Sequence, residues 1–243
     1  MSAVLAAQAL QKRFGAVTAA ADITLSFDTD TVASLIGANG AGKTTFLNLV
    51  TGYLKPDSGR ILFGDRDIVG LSPREIAKLG ISRSFQIPQL FQTLDVRDNL
   101  LIAERIAGAD DPQAATDAAL ERFELRPYAS RPAGLLPEGV RKLLDVAMAL
   151  SSRSKLLLLD EPTSGVSADE KLAIMEVVMT AVRAAGVTVI FVEHDMDIVA
   201  RFAGRVVAFY DGAIIGDGPP EAVLHMEEVR RYVIGEETSH AAA

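Results

Sequence analysis

Ser34-Leu35-Ile36-Gly37-Ala38-Asn39-Gly40-Ala41-Gly42-Lys43-Thr44-Thr45 decides how the rest of this 243-residue chain is read. Gly37, Gly42, Lys43 and Thr44 fit the spacing G-x-x-x-x-G-K-[ST] of a phosphate-binding loop. The chemistry needs those residue types. Gly37, Gly40 and Gly42 let the backbone turn so that successive N–H groups aim at phosphate oxygens. Lys43 brings a full positive charge to the β and γ phosphates, and Thr44 offers a hydroxyl to a magnesium ion. A helix starting near Gly42 would aim the positive end of its dipole at the same phosphates. The flanks agree: residues Thr31 to Ile36 are β-branched or apolar, and Phe46 to Val50 continue as a helix. Gly37 through Thr45 are therefore the candidate nucleotide-binding set, against the alternative of a glycine-rich turn with an incidental lysine.

The totals narrow the class. A chain of this length suits one large domain or a core with an inserted subdomain. Its 49% hydrophobic content is ample for a packed core. The net charge of −8 argues against nonspecific nucleic-acid binding, which needs a basic face. With no cysteine, disulfides and thiolate metal sites are excluded, which suits a reducing cytoplasm. The N-terminus lacks a basic stretch followed by a long apolar run, so no signal peptide is expected. No run of about 18 apolar residues occurs, so no span is expected and a membrane role must pass through a partner.

Working outward, Val4 to Leu10 predicts a strand and Lys12-Arg13-Phe14-Gly15 a turn. Ile23, Leu25 and Phe27 alternate with polar residues, as in a half-buried strand. Phe14 reads equally well as an aromatic plate for a base or as core packing. Arg60 to Phe63 is a strand. Ser72-Pro73-Arg74-Glu75 is a helix start with a cap, a proline at the first position and a glutamate three after the cap. Gly80 ends that helix, and Ile81 to Phe85 is a strand followed by Gln86. From about Pro88 the texture turns helical, with a stripe at Val140, Leu143, Leu144, Ala147 and Leu150. Strand character returns at Leu156-Leu157-Leu158-Leu159-Asp160-Glu161. A helix from Ala168 to Ala185 shows Leu172, Met175, Val178, Met179 and Val182 as its inner face. Val187 to Val192 is a buried strand ending in Glu193-His194-Asp195. Arg205 to Tyr210 and Ala213 to Ile215 flank a hairpin turn at Asp211-Gly212. Two short helices and a loose tail from Glu236 to Ala243 close the chain.

Strands alternating with helices predict an α/β fold with a mostly parallel sheet, and ligands then sit at the carboxyl ends of strands. The phosphate loop, Gln86, Asp160-Glu161 and His194 all follow apolar strand runs. Asp160 suits a carboxylate that holds magnesium through water. Glu161 suits a general base that polarises an attacking water; its bland alternative is a solvated loop acid. His194 suits a donor to the γ phosphate, with a structural histidine as the alternative.

Taken in order, these residues resemble the ATP-binding cassette (ABC) ATPases over nearly the whole chain. The resemblance implies a P-loop NTPase core at residues 1–87 and 153–243, an N-terminal antiparallel β part, and an inserted helical subdomain at residues 88–152. It implies ATP and Mg2+ as ligands. Phe14 would stack on adenine, and the set from Gly37 to Thr45 would bind phosphates. Lys43, Gln86, Glu161 and His194 would act in catalysis, and Thr44, Gln86 and Asp160 at the metal. Ser82-Arg83-Ser84-Phe85-Gln86, Val192-Glu193-His194-Asp195-Met196 and Glu228 to Glu236 are similar to the branched-chain amino acid uptake subgroup. The implied partners are a second ABC ATPase subunit and membrane-spanning permease subunits, with no nucleic acid. The implied place is peripheral, on the cytoplasmic face of the cell membrane.

Two departures stand out. Where the family carries Leu-Ser-Gly-Gly-Gln, this chain reads Leu136-Pro137-Glu138-Gly139-Val140. Proline has neither hydroxyl nor amide N–H, and Glu138 brings negative charge toward phosphate. The family's acid after the catalytic glutamate is replaced by Ser167, with Asp169 two residues late. These departures lead to the expectation of a heterodimer in which one site hydrolyses well and the other poorly, a homodimer being the other arrangement. The competing readings are a soluble ATP-gated clamp outside transport, a weakly active regulatory subunit and a small-molecule kinase.

Overall fold

The computed structural model describes residues 3–151 and 154–235; the tail from Glu236 lies outside them. The chain divides into two compact units, one from residues 1–71 and 192–243, the other from residues 72–191.

The first unit opens with β1 (Ala3–Phe14), β2 (Val17–Asp28), β3 (Val32–Gly37), α1 (Lys43–Val50), β4 (Ser58–Phe63) and β5 (Arg66–Asp67). An antiparallel sheet forms in the order β2-β1-β4-β5. Its core face is set by alternation: Ile23, Leu25 and Phe27 are buried while Asp22, Thr24, Ser26 and Asp28 face out. The turn expected at Lys12–Gly15 is displaced. β1 continues through Lys12, Arg13 and Phe14, paired with Ala20, Thr18 and Val17 of β2. Asp57 explains the extension. It accepts from Lys12 Nζ at 2.8 Å and from the Arg13 N–H at 2.7 Å. Those two donors, with their charges, hold its carboxyl below the ordinary aspartate value. Gly15, at φ 59, makes the turn instead.

The second unit contains α2 (Pro73–Leu79), β6 (Ile81–Ser84), α3 (Val96–Ile106), α4 (Pro112–Arg122), α5 (Glu138–Ser151), β7 (Leu156–Asp160), α6 (Ala168–Ala185) and β8 (Thr188–Val192). The predicted start of α2 forms a capping box between Ser72 and Glu75, and Gly80 closes the helix in the left-handed region. Asp95 and Asp111 cap α3 and α4. Three strands lie in the order β8-β7-β6, with β6 parallel to β7. Leu156 to Leu159 are wholly buried, as a strand covered on both faces requires. The inner face of α6 is rotated from the expected one. Leu172 is 38% exposed, and Ile174 joins Met175, Val178, Met179 and Val182 inside. Ile174 packs on Gly139 so closely that a Cβ there would lie 2.5 Å from its Cδ1.

The chain then returns to the first unit as α7 (Met196–Phe202), β9 (Arg205–Tyr210), β10 (Ala213–Gly218), α8 (Pro220–Val223) and α9 (Glu227–Val229). Here the strand order is β10-β9-β3, with β9 parallel to β3 and antiparallel to β10. Asp211 and Gly212, at φ 48 and 77, make the hairpin turn, and both positive angles match the primed type. The return strand runs to Gly218, three residues beyond the predicted end. The architecture is α/β, with an antiparallel N-terminal sheet and mixed sheet elsewhere. Among the described residues, no helix is long and apolar enough to cross a membrane.

Candidate functional site

In the first unit, β3 delivers the chain into the phosphate loop. Gly37 has φ 154, and a Cβ on it would lie 2.5 Å from the Phe209 carbonyl oxygen. Gly42 has φ 109, and a Cβ there would lie 2.6 Å from the Ala19 oxygen. Only glycine fits either place without moving backbone. The hairpin turn supports the loop from below: the Gly212 N–H donates to Ala41 O at 3.0 Å, and the Ala21 N–H donates to Gly212 O at 2.8 Å. Lys43 opens α1 and is buried, its Nζ donating to Gly37 O at 2.6 Å and to Ala38 O at 3.0 Å. Gly42 caps α1 without a side chain, and no acid sits in the first turn, so the helix presents an undiminished positive end. Ala38, Asn39, Gly40 and Thr44 are exposed; Thr45 is half-buried and Ala41 buried.

Phe14 is 48% exposed, with Lys12 Nζ 5.5 Å from its ring centroid. It is not a core residue, which removes one of its two readings. His194 is exposed, and its N–H donates to Glu193 Oε2 at 3.2 Å. Asp195 next to it caps α7.

In the second unit, parallel pairing of β6 and β7 puts their ends side by side, with Ser84 opposite Leu159. The residues just beyond then meet: Gln86 Nε2 donates to Glu161 Oε2 at 2.9 Å. Asp160 is buried at the end of β7, and Arg83 Nη2 donates to its Oδ2 at 2.6 Å. The side chains of this ion pair are 6% and 8% exposed. The guanidinium also lies 5.0 Å from the Phe85 ring. Glu161 has φ 52, a left-handed backbone that a residue with a Cβ adopts only when its surroundings hold it there. The Ser164 N–H closes a turn on Glu161 O at 3.1 Å.

Two charged residues that hydrogen-bond the Gln86 segment escape the sequence reading because both sit on α5, whose pattern shows an apolar stripe. Lys142 and Asp145 are as buried as that stripe, whereas Val140 is half-buried. Lys142 Nζ donates to Gln86 O, to Ser164 Oγ at 3.0 Å and to Glu161 O at 3.3 Å. Asp145 accepts the N–H of Phe85 at 3.2 Å and of Gln89 at 2.9 Å. Burial raises its carboxyl to about 6, even though the two N–H bonds and the charge of Lys142 pull the other way. The available signal was a pair of charges, one turn apart, inside a run of core positions.

At the segment that departs from the family pattern, Glu138 is not a bare charge: Arg141 Nη1 lies 3.3 Å from its Oε2. Ser167 Oγ donates to Glu170 Oε2 at 2.6 Å. Among the described residues, no group of three or more His, Cys, Asp or Glu could hold a metal.

Residues 20–164 match the ABC transporter domain family. The chain is 31% identical to the high-affinity branched-chain amino acid transport ATP-binding protein LivG of Escherichia coli K12, over 96% of this chain and 98% of that one. It is 33% identical to the probable branched-chain amino acid transport ATP-binding protein LivG of Archaeoglobus fulgidus, over 97% of each. Its structure is similar to the ADP conformation of MJ1267, an ATP-binding cassette of an ABC transporter. There the TM-score is 0.85 at 30% identity, covering 97% of this chain and 100% of that one.

Proposed function

Because this chain belongs to the ABC transporter family, whose ATP-binding subunits hydrolyse ATP, we propose that it powers the import of branched-chain or closely related amino acids. The observation that carries this reading is the full-length similarity to ATP-binding proteins of branched-chain amino acid transport. Subunits of this family dimerise, work with membrane permeases and lie peripheral to the membrane; for this chain the face is the cytoplasmic one.

The residues take the following roles. Backbone amides from Gly37 to Thr45, the start of α1 and the Lys43 ammonium bind the phosphates, and Phe14 offers its exposed face to adenine. Glu161 accepts a proton from water as that water attacks the γ phosphorus and the bond to the β–γ bridging oxygen breaks. Gln86 is hydrogen-bonded to Glu161 and thereby orients its carboxylate. His194 donates to the γ phosphate. Thr44, Asp160 and Gln86 would hold Mg2+ through their oxygens, and the ion would supply positive charge against the phosphates. Residues 88–152 are taken as the helical insertion, and Gln86 links the nucleotide site to it and to the membrane subunits.

The pairing is asymmetric in this proposal. Leu136 to Val140 is a weak clamp for a partner's γ phosphate, since Pro137 has no N–H and the Glu138 charge is only partly offset by Arg141. The test is hydrolysis by the assembled transporter with Glu161→Gln, set against the equivalent change in its partner ATPase. The change in this chain should remove most of the activity and the other little. Equal losses would overturn the asymmetry, and an intact rate in both would overturn the assignment of Glu161.

A further inference from the structure

Resting on the ATPase reading above, we propose that Lys142 and Asp145 are positioning residues for hydrolysis. Together they clamp the Gln86 segment and the Glu161 loop to α5, so that the orientation of the general base is set by that helix.

Three observations converge. First, the Lys142 ammonium is 3% exposed, and a buried ammonium needs an oxygen for each of its three N–H donors. It finds Gln86 O, Glu161 O and Ser164 Oγ, one on the strand end after β6 and two on the loop after β7. Second, the two oxygens of Asp145 take separate amides, Phe85 N–H and Gln89 N–H. They bracket Gln86, so α5 grips the chain on either side of the residue bonded to Glu161. Third, Glu161 holds a left-handed backbone. A proton donor fixed on its carbonyl stabilises that conformation from outside the loop. Gln86 therefore reaches Glu161 by side chain, while Lys142 holds the backbone of both. A tilt of α5 moves Gln86 and Glu161 together, and α5 begins in the segment where this chain departs from the family pattern.

The test uses the full chain co-purified with its transporter subunits, MgATP as substrate and a fluorescent ATP analogue as binding probe. Lys142→Met should lower kcat by about 100-fold, the size expected when a catalytic group is misplaced by about an ångström. KM for MgATP and affinity for the analogue should stay within about twofold, because the phosphate grip lies elsewhere. Lys142→Arg should recover most of the rate. In a Glu161→Gln background Lys142→Met should add less than about a twofold loss, since both changes disable one unit. An unchanged kcat, a full additive loss on Glu161→Gln, or a parallel fall in analogue binding would each overturn the proposal. If Lys142→Met does not fold, Asp145→Asn, which keeps one amide acceptor, decides the matter. It should cut kcat about 10-fold at constant KM, and an unchanged kcat overturns the clamp. A wild-type complex unable to hydrolyse MgATP would sink the ATPase reading itself; a hydrolysing wild type matched by Lys142→Met would sink the clamp alone.

Discussion

The loop from Gly37 to Lys43 and the loop from Glu161 to Ser164 both follow a buried strand, yet they are held by different means. The first is shaped by what its own residues are. Two of its glycines sit where a side chain would strike a neighbouring carbonyl, and its lysine bonds carbonyls five and six residues back. The second contains a non-glycine residue in the left-handed region. It is held by Gln86 and Lys142, 75 and 19 residues away in the chain from Glu161. One loop is a property of residue type at fixed spacing. The other is a property of tertiary contacts. The two should therefore fail differently when their key side chains are removed.

The largest effect is expected in the first loop. Lys43→Ala should abolish retention of labelled ATP and lower hydrolysis by about 100- to 1,000-fold, the usual range when one charge-stabilising donor is lost from a site. The midpoint of thermal unfolding should barely move, because backbone and glycines keep the loop's shape. A large drop in the unfolding midpoint would break the contrast, by showing that Lys43 holds the loop as Lys142 holds the other.

The same contrast explains what was legible from sequence. The phosphate loop, the capping box at Ser72 and the turn at Asp211-Gly212 each depend on residues a few positions apart, and each was read with its flanks. Gln86, Asp160 and Glu161 stand where two parallel strands end, so the strand pattern alone puts them at one edge. Arg83, Lys142 and Asp145 were not assigned roles at the site. Their partners lie 77, 56 and 60 residues away, and a charged residue on an apolar helix reads as solvated unless its partner is known. The early end of β1 and the rotated face of α6 have the same cause. Asp57 and Gly139, both distant in sequence, decide them.

A second, smaller effect probes the buried pair behind the second loop. Arg83→Met leaves the Asp160 carboxylate buried beside an apolar chain, and breaking a pair of this kind costs about 3–5 kcal/mol of stability. Urea unfolding should register that loss. The double change Arg83→Met with Asp160→Asn should recover a large part of it, because the stranded charge is gone. Equal instability in the single and double variants would mean that Arg83 contributes packing alone, and Asp160 would then be no more dependent on tertiary contacts than Lys43.

The smallest effect separates the carboxylates of the two units by the sign of their pH dependence. Asp145 titrates at about 6 in the folded protein against an ordinary value of 3.8, because burial outweighs its two N–H bonds and Lys142. Between those values the folded chain keeps a proton that the unfolded chain has released. The contribution of Asp145 to stability is therefore fully present below about pH 3.8 and is lost as pH rises through 6, by roughly 2–3 kcal/mol at 1.36 kcal/mol per unit. Asp57, held low first by its Lys12 hydrogen bond and next by the Arg13 N–H, contributes with the opposite sign: its share is present at higher pH and lost as pH falls below the ordinary value. Unfolding free energies of Asp145→Asn and Asp57→Asn, each measured against wild type from about pH 2 to 7.5, should diverge in opposite directions, the first as pH rises from 3.8 through 6 and the second as pH falls below 3.8. Above pH 6 the Asp145 carboxylate is charged and costs stability, while its grip on Phe85 and Gln89 is then strongest. Parallel curves for wild type and Asp145→Asn would mean that its two N–H bonds offset the burial in full, and the second loop would be held by Asp145 without a cost in stability.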